Sequence, residues 1–176
     1  MRPTIIWGPR HPAFADAIFR HPASGKYVHP RGDEPIVRAF GYVRNVAAQM
    51  LCFATLPPGR TNRHISDLGD GAIDDDLWAD AFSQGPAGRP ARRIPLRRPK
   101  LLGRVGDVLR RIGLAAPIDS GRAFRMSTSS RVDLAATHAI TGPGQVSFDE
   151  GVRETLQWLY QVDPRRFAGA ASAIGA

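Results

Sequence analysis

Met1-Arg2-Pro3-Thr4-Ile5-Ile6-Trp7-Gly8-Pro9 opens the chain with three large apolar residues in a row, bracketed by Pro3 and by Gly8-Pro9. Such a run between two breakers describes a short buried strand over residues 2–7 that stops abruptly at a turn. A strand buried on both faces has neighbours on both sides. Here only a methionine and an arginine precede it. The stretch therefore has the character of the interior of a sheet, and the expectation is a protein whose first strand is a cut edge. An exposed strand edge or apolar face at residues 2–7 would be a site of dimerisation or aggregation.

Working outward, a helical stretch carries Phe14, Ala17, Ile18 and Phe19 and ends at His21-Pro22 and Ser24-Gly25. Tyr27-Val28 reads as a short strand, Pro30-Arg31-Gly32-Asp33 as a turn, and Ile36 to Phe40 as a second short strand. Val43, Val46, Ala47, Met50 and Phe53 then recur at helical spacing, and Pro57-Pro58-Gly59 closes that helix. Asn62 to Leu68 has strand character, with a turn at Gly69-Asp70-Gly71. Asp74-Asp75-Asp76 stands before Leu77, Trp78, Ala81 and Phe82, where acidic residues complement the positive end of a helix. A divalent-metal cluster is the rival reading of that triplet. Consecutive helical residues point in different directions, which favours the helix start.

Gly85 to Pro90 is a loop and Arg93 to Leu96 a brief extended piece. From Pro99, the residues Leu101, Leu102, Val105, Val108, Leu109 and Ile112 trace one helical stripe, with Arg104, Asp107, Arg110 and Arg111 off it. The expectation is that this stripe faces the core, with a membrane-surface role as the alternative. Ser147-Phe148-Asp149-Glu150 has the spacing of a capping box ahead of Val152, Thr155, Leu156 and Leu159. The tail from Ala168 is rich in Ala, Gly and Ser and is expected to fray.

The 176 residues, 43% hydrophobic and 23% charged, suit one globular α/β domain and exclude wholesale disorder. No apolar run reaches the length of a spanning helix, and the N-terminus lacks the apolar region of a signal peptide. One cysteine, Cys52, leaves no internal disulfide and no cysteine metal cage, so a reducing cytoplasm is expected. The net charge of +8 attracts phosphate whatever the fold. The cations are spread along the chain apart from residues 89–111, so a nucleic-acid partner is not the expected one.

Arg2-Pro3 to Gly8-Pro9 resembles a segment of the NAD-dependent epimerase/dehydratase family, the extended short-chain dehydrogenases acting on nucleotide sugars. Further pieces follow in family order: Gly32-Asp33, Arg38 through Val46, Gly88-Arg89-Pro90 with Ile94-Pro95, Asp133-Leu134-Ala135-Ala136, and Val146 through Thr155. The resemblance implies the C-terminal half of such an enzyme. Residues 1–69 would complete a Rossmann-type parallel sheet of two or three strands. Residues 70–167 would form a small helical substrate subdomain, and residues 168–176 a flexible tail.

By the same resemblance Arg38 contacts the diphosphate of a UDP-, dTDP- or GDP-sugar, a role suited to guanidinium's planar fork of donors. The alternative for Arg38 is a surface ion pair with Asp33 or Glu34. Arg122 or Arg125 would be a second phosphate ligand, and Pro3 and Thr4 would line the nicotinamide pocket of NAD or NADP. His11 and His29 read as solvated turn histidines, and Cys52 as a small core residue.

Three positions depart from the family pattern: Ile5 stands for a substrate-binding asparagine, Asn45 for aspartate and Ala136 for lysine. No Gly-x-x-Gly-x-x-Gly follows a strand, and Tyr27, Tyr42 and Tyr160 are followed four residues later by Arg31, Val46 and Pro164, not lysine. The chain alone is therefore expected neither to bind NAD nor to catalyse the family reaction. A separate N-terminal half or a homodimer is the implied partner, and a non-catalytic sugar-nucleotide module is the alternative.

Overall fold

A computed structural model describes residues 1–11, 28–61, 64–116 and 119–165 of the chain. In chain order it contains β1 (Arg2–Pro3), β2 (Ile5–Trp7), β3 (Val28–Arg31), β4 (Val37–Tyr42), α1 (Val43–Thr55) and α2 (Pro58–Thr61). There follow β5 (Asp67–Leu68), β6 (Gly71–Asp74), α3 (Asp75–Ala87), β7 (Arg92–Pro95) and α4 (Arg97–Arg111). The last three are α5 (Ser120–Ser127), α6 (Ala135–Thr141) and α7 (Phe148–Val162). The expected helix through Phe14 to Phe19, Tyr27 and the tail from Ala168 lie outside the described residues.

The opening stretch is extended, but it serves two neighbours in turn. β1 runs parallel to β5, with Arg2 N–H and Thr4 N–H donating at 2.8 Å to the carbonyls of Ser66 and Leu68. β2 then runs parallel to β4, with Ile5, Ile6 and Trp7 opposite Phe40, Gly41 and Tyr42. β6 joins the other side of β4 antiparallel, so among the described residues β2 is the edge of a three-stranded sheet. β3 and β7 form a separate parallel pair. The α/β class with parallel pairing is as expected. The sheet differs in being broken into three small pieces, one of them mixed.

Burial along β2 corrects the reading of a strand covered on both faces. Ile5 is 39% exposed and Ile6 half-buried, whereas Trp7 is 1% exposed. Alternation along a strand explains the pattern, because only one face of β2 meets α7 and α3. Trp7 lies edge-on to Phe82 at 5.8 Å between ring centres and tilted against Tyr42 at 5.0 Å. Phe40 stacks on Trp78 at 5.7 Å. Val146, Val152, Leu156 and Leu159 complete this core. A second, smaller cluster joins Val46, Phe53 and Leu68.

Several local expectations shift by a few residues for identifiable reasons. Pro30 belongs to β3 and not to a turn. Among the described residues β3 pairs with β7 alone, which leaves its other side open, where a residue without an N–H is tolerated. Of the strand expected over Asn62 to Leu68, Asn62 and Arg63 lie outside the described residues and strand structure in the rest covers Asp67–Leu68, while Gly71, expected in a turn, begins β6 with φ +135°. α1 buries Asn45, Val46, Gln49 and Phe53, while Ala47 is exposed, so its inner face is half polar. α3 starts where expected, with the Asp74 side chain accepting from Asp76 N–H at 2.8 Å. α7 is capped by Ser147, whose Oγ accepts from Glu150 N–H at 3.2 Å.

The largest correction concerns α4. Its apolar stripe does not face the core: Leu101, Leu102, Val105, Val108 and Ile112 are all exposed. The buried residues are Pro99, Gly103 and Gly106. A Cβ at Gly103 would stand 3.0 Å from the Asp119 carbonyl and 3.1 Å from the Ala123 Cβ. Close backbone approach to α5 therefore selects the glycine side, and the stripe is turned outward. No helix among the described residues is long and apolar enough to cross a membrane.

Candidate functional site

Parallel strands bring two chain ends together, and ligands of open α/β sheets bind outside the carboxyl ends of the strands. β2 and β4 end side by side at Trp7 and Tyr42. Gly8 turns the chain at φ +139°, and a Cβ there would come within 2.7 Å of Val43 Cγ1 at the start of α1. A cleft of about 630 Å³ opens between the segment from Trp7 to His11 and the segment from Tyr42 to Arg44. Arg10, on its rim, has φ 65°, a conformation that a non-glycine residue adopts at a cost. Glu154 of α7 lies across the cleft and accepts from both Tyr42 Oη and Arg44 Nη1. Burial and this carboxylate hold the Tyr42 phenol well above its ordinary pKa.

A second polar centre surrounds the opposite end of β4. Arg38 Nε donates to Asp75 Oδ2 at 2.5 Å, with side-chain exposures of 18% and 13%. Its partner is thus the first residue of α3, not Asp33 or Glu34. Burial raises the Asp75 pKa, and the Arg38 hydrogen bond opposes that rise. Asp76 faces three cations or potential cations: His29 Nε2 at 3.4 Å, Arg31 Nε at 3.3 Å and Arg93 Nε at 3.1 Å. Arg93 also reaches Asp80 at 2.9 Å. His29 is buried, contrary to the expected solvated turn, and burial together with Arg93 lowers its pKa to about 4. A pocket of about 90 Å³ lies here, lined by His29, the loop from Gly32 to Ile36, and Asp74 to Asp76.

Between the two centres runs a buried polar clip. Asn45 Nδ2 donates to Asp70 Oδ1 at 2.9 Å and to the Val146 carbonyl at 2.8 Å, while its Oδ1 accepts from Val146 N–H at 3.0 Å. Asp70 Oδ2 accepts from Tyr42 N–H at 2.5 Å. Gln49 exchanges two bonds with the Gly69 backbone. Burial raises the Asp70 pKa against the opposing effect of these donors. The clip ties α1 to the β5–β6 turn and to the segment before α7, and so holds β4 between both polar centres.

The other predicted residues are dispersed. Pro3 is exposed at the end of β1. Thr4 Oγ1 is buried without a hydrogen-bond partner among the described residues, and a Cβ at Gly69 would lie 2.4 Å from it. Arg122 and Arg125 are exposed on α5. The chain after α5 returns to Arg38: Ala39 N–H donates to the Ser130 carbonyl at 2.7 Å and Ser130 N–H to the Val37 carbonyl at 2.8 Å. His11 lines the cleft, Cys52 is half-buried on α1, and Ala136 is exposed on α6. Arg10, Arg44 and Glu154 were not singled out from sequence, and Asp75 was read only within a helix start or its rival, a metal-binding triplet. The rule that places ligands at strand carboxyl ends pointed to the first two, but Glu154 and Asp75 approach through tertiary packing alone.

The fold has known counterparts. The UDP-glucuronic acid 4-epimerase of Bacillus cereus, solved with UDP-glucuronic acid and NAD, matches with a TM-score of 0.58 at 12% identity, over 92% of this chain and 44% of that one. The UDP-glucose 4-epimerase of Thermotoga maritima, solved with UDP-glucose, gives 0.58 at 15% identity, over 92% and 45%. TunA, an NAD-dependent NDP-hexosamine 5,6-dehydratase of tunicamycin biosynthesis, gives 0.55 at 19%, over 94% and 46%. The chain thus spans about half the length of these structures. Neither a protein-family model nor a curated protein matches the sequence.

Proposed function

We propose that this chain forms the substrate side of an NAD(P)-dependent nucleotide-sugar epimerase or dehydratase, in the half of that fold C-terminal to the Tyr-x-x-x-Lys. Residues 1–69 complete the Rossmann-like part and residues 70–167 form the substrate subdomain. The observation that carries the reading is Arg38. It stands on β4 of a fold shared with nucleotide-sugar enzymes, held at one nitrogen by Asp75. Guanidinium has five donors, so a guanidinium anchored through Nε keeps its Nη groups for a second acceptor. A diphosphate fits that fork bidentately. Arg122 or Arg125 supplies a second phosphate contact, and Pro3 and Thr4 face the nicotinamide of NAD or NADP.

The Gly-rich loop and the Tyr-x-x-x-Lys are not among these 176 residues. Hydride chemistry is therefore assigned to residues outside these 176 that supply both motifs. In that division of labour this chain binds and orients the nucleotide sugar in a cytoplasmic enzyme.

Calorimetric titration with UDP-glucose tests the reading. Salt-sensitive binding is expected, and Arg38→Lys, which keeps a charge near Asp75 but loses the fork, should weaken it about tenfold or more. A thermal melt of the variant checks that the fold is retained. Equal affinity of both proteins, or no binding at low salt, would overturn the assignment. No turnover is expected on adding NAD and UDP-glucose to the chain alone, and robust turnover would reject the division of labour.

A further inference from the structure

We propose that α4 is a docking helix for an anionic membrane surface, an inference independent of the sugar-nucleotide reading. At 3.6 residues per turn, its apolar positions from Leu101 to Ile112 fall within an arc of roughly 120°. All but Leu109 are exposed, and Ile112 is 66% exposed. The stripe continues past the helix at Leu114, also exposed. Together these side chains present on the order of several hundred Å² of apolar surface, at or above the largest patch of a typical monomer.

The helix does not need the stripe for its own attachment. It is seated through Gly103 and Gly106 and tied by Asp107 Oδ1, which accepts from Ser120 N–H at 3.1 Å, and by Arg110 Nη1, 2.5 Å from Asp119 Oδ2. Glycine in a helix interior costs about 1 kcal/mol relative to alanine. Two of them on the packed face keep the helix low on α5 and the leucines outward.

Charge selects the occupant. Arg97, Lys100, Arg104 and Arg111 are exposed along the flank of the stripe opposite the glycine face, and Asp107, the single acid of the helix, is turned to Ser120. A second copy of the chain docking here would set these cations against their equals. An anionic bilayer offers apolar depth below the stripe and lipid phosphates beside the cations. Arg98, in the first turn on the stripe's own side, can lay its stem along apolar surface and keep its head at the phosphates.

Sedimentation with phosphatidylglycerol/phosphatidylcholine vesicles, and with phosphatidylcholine alone, tests this. Binding to the anionic vesicles only, weakened by salt, is expected. Leu102→Ser with Val105→Ser keeps the net charge, alters only exposed side chains and should weaken partitioning at least about tenfold. Lys100→Gln with Arg104→Gln should weaken it about thirtyfold, near a factor of five per cation. No sedimentation at low salt would overturn the proposal. So would serine variants that bind like the parent, because diffuse attraction by the +8 chain would then suffice. Concentration-dependent self-association abolished by the same serine changes, without vesicle binding, would assign the face to a second copy instead.

Discussion

Replacing Asn45 by aspartate alters one atom at a site 3% exposed. The amide nitrogen, which donates to Asp70 Oδ1 at 2.9 Å and to the Val146 carbonyl at 2.8 Å, becomes an acceptor facing two acceptors. Two unit charges about 3 Å apart repel by about 6 kcal/mol at an effective dielectric of about 20. The folded protein can relieve this by protonating one carboxyl of the pair, and keeping a group that ordinarily titrates at about 4 protonated at neutral pH costs about 4 kcal/mol. Asn45→Asp should therefore lower stability by about 4 kcal/mol near neutrality. A carboxyl pair whose folded pKa is raised binds protons more readily than the unfolded chain. Its deficit should then shrink as pH falls, approaching about 1 kcal/mol once one carboxyl is protonated and donates again. Asn45→Ala removes the bonds without adding charge and should show a deficit far less dependent on pH. Urea unfolding of the three proteins at neutral and acidic pH measures each quantity. A neutral-pH deficit of Asn45→Asp below about 0.5 kcal/mol, or one indifferent to pH, would refute the clip as described.

Other consequences follow from the same packing. The folded pKa of His29 is depressed to about 4. Its contribution to stability is present above the unfolded value of about 6.5 and is lost as pH falls through about 4, amounting to about 3 kcal/mol. The difference in unfolding free energy between the parent and His29→Gln, followed across that window, isolates it from the carboxylates, and a flat difference would contradict it. Gly151→Ala places a methyl carbon 2.9 Å from both Trp7 Cη2 and Tyr42 Cδ2. Buried rings cannot yield cheaply, so a loss of about 1–3 kcal/mol by thermal or urea melts is expected despite alanine's better helix propensity. Asp75→Asn keeps a polar partner for Arg38 but removes the negative charge, so UDP-glucose affinity by calorimetry should rise, not fall, if Arg38 is the diphosphate ligand.

What could be read from the chain was what local chemistry specifies. Ser147 ahead of Glu150 marked α7, and Asp74 to Asp76 marked the start of α3, because a cap and its amide are neighbours in sequence. The strand at Ile5–Trp7 was legible from its apolar run, whereas its partner β4 was not, nor was β5 as the partner of Arg2–Pro3, since both come from more than thirty residues away. Periodicity gave α4 its stripe but could not say which side would pack. That was settled by the room Gly103 leaves for Asp119 and Ala123. At the site, Arg38 was picked out by its type and its setting, but Asp75 as its partner required α3 to fold back on β4. Asn45 stood out as a departure from a pattern, and its purpose emerged only once Asp70 and Val146, 25 and 101 residues distant, were seen against it.

The most direct test of the substrate-side assignment is the backbone amide spectrum of the isotope-labelled chain titrated with UDP-glucose. The account predicts saturable shifts centred on Arg38 and spreading to Ile73 and Asp75 on its neighbouring elements and to Ser130 beside it, all suppressed in Arg38→Lys. Saturable shifts that leave Arg38 and Asp75 untouched, or shifts identical in the variant, would contradict it.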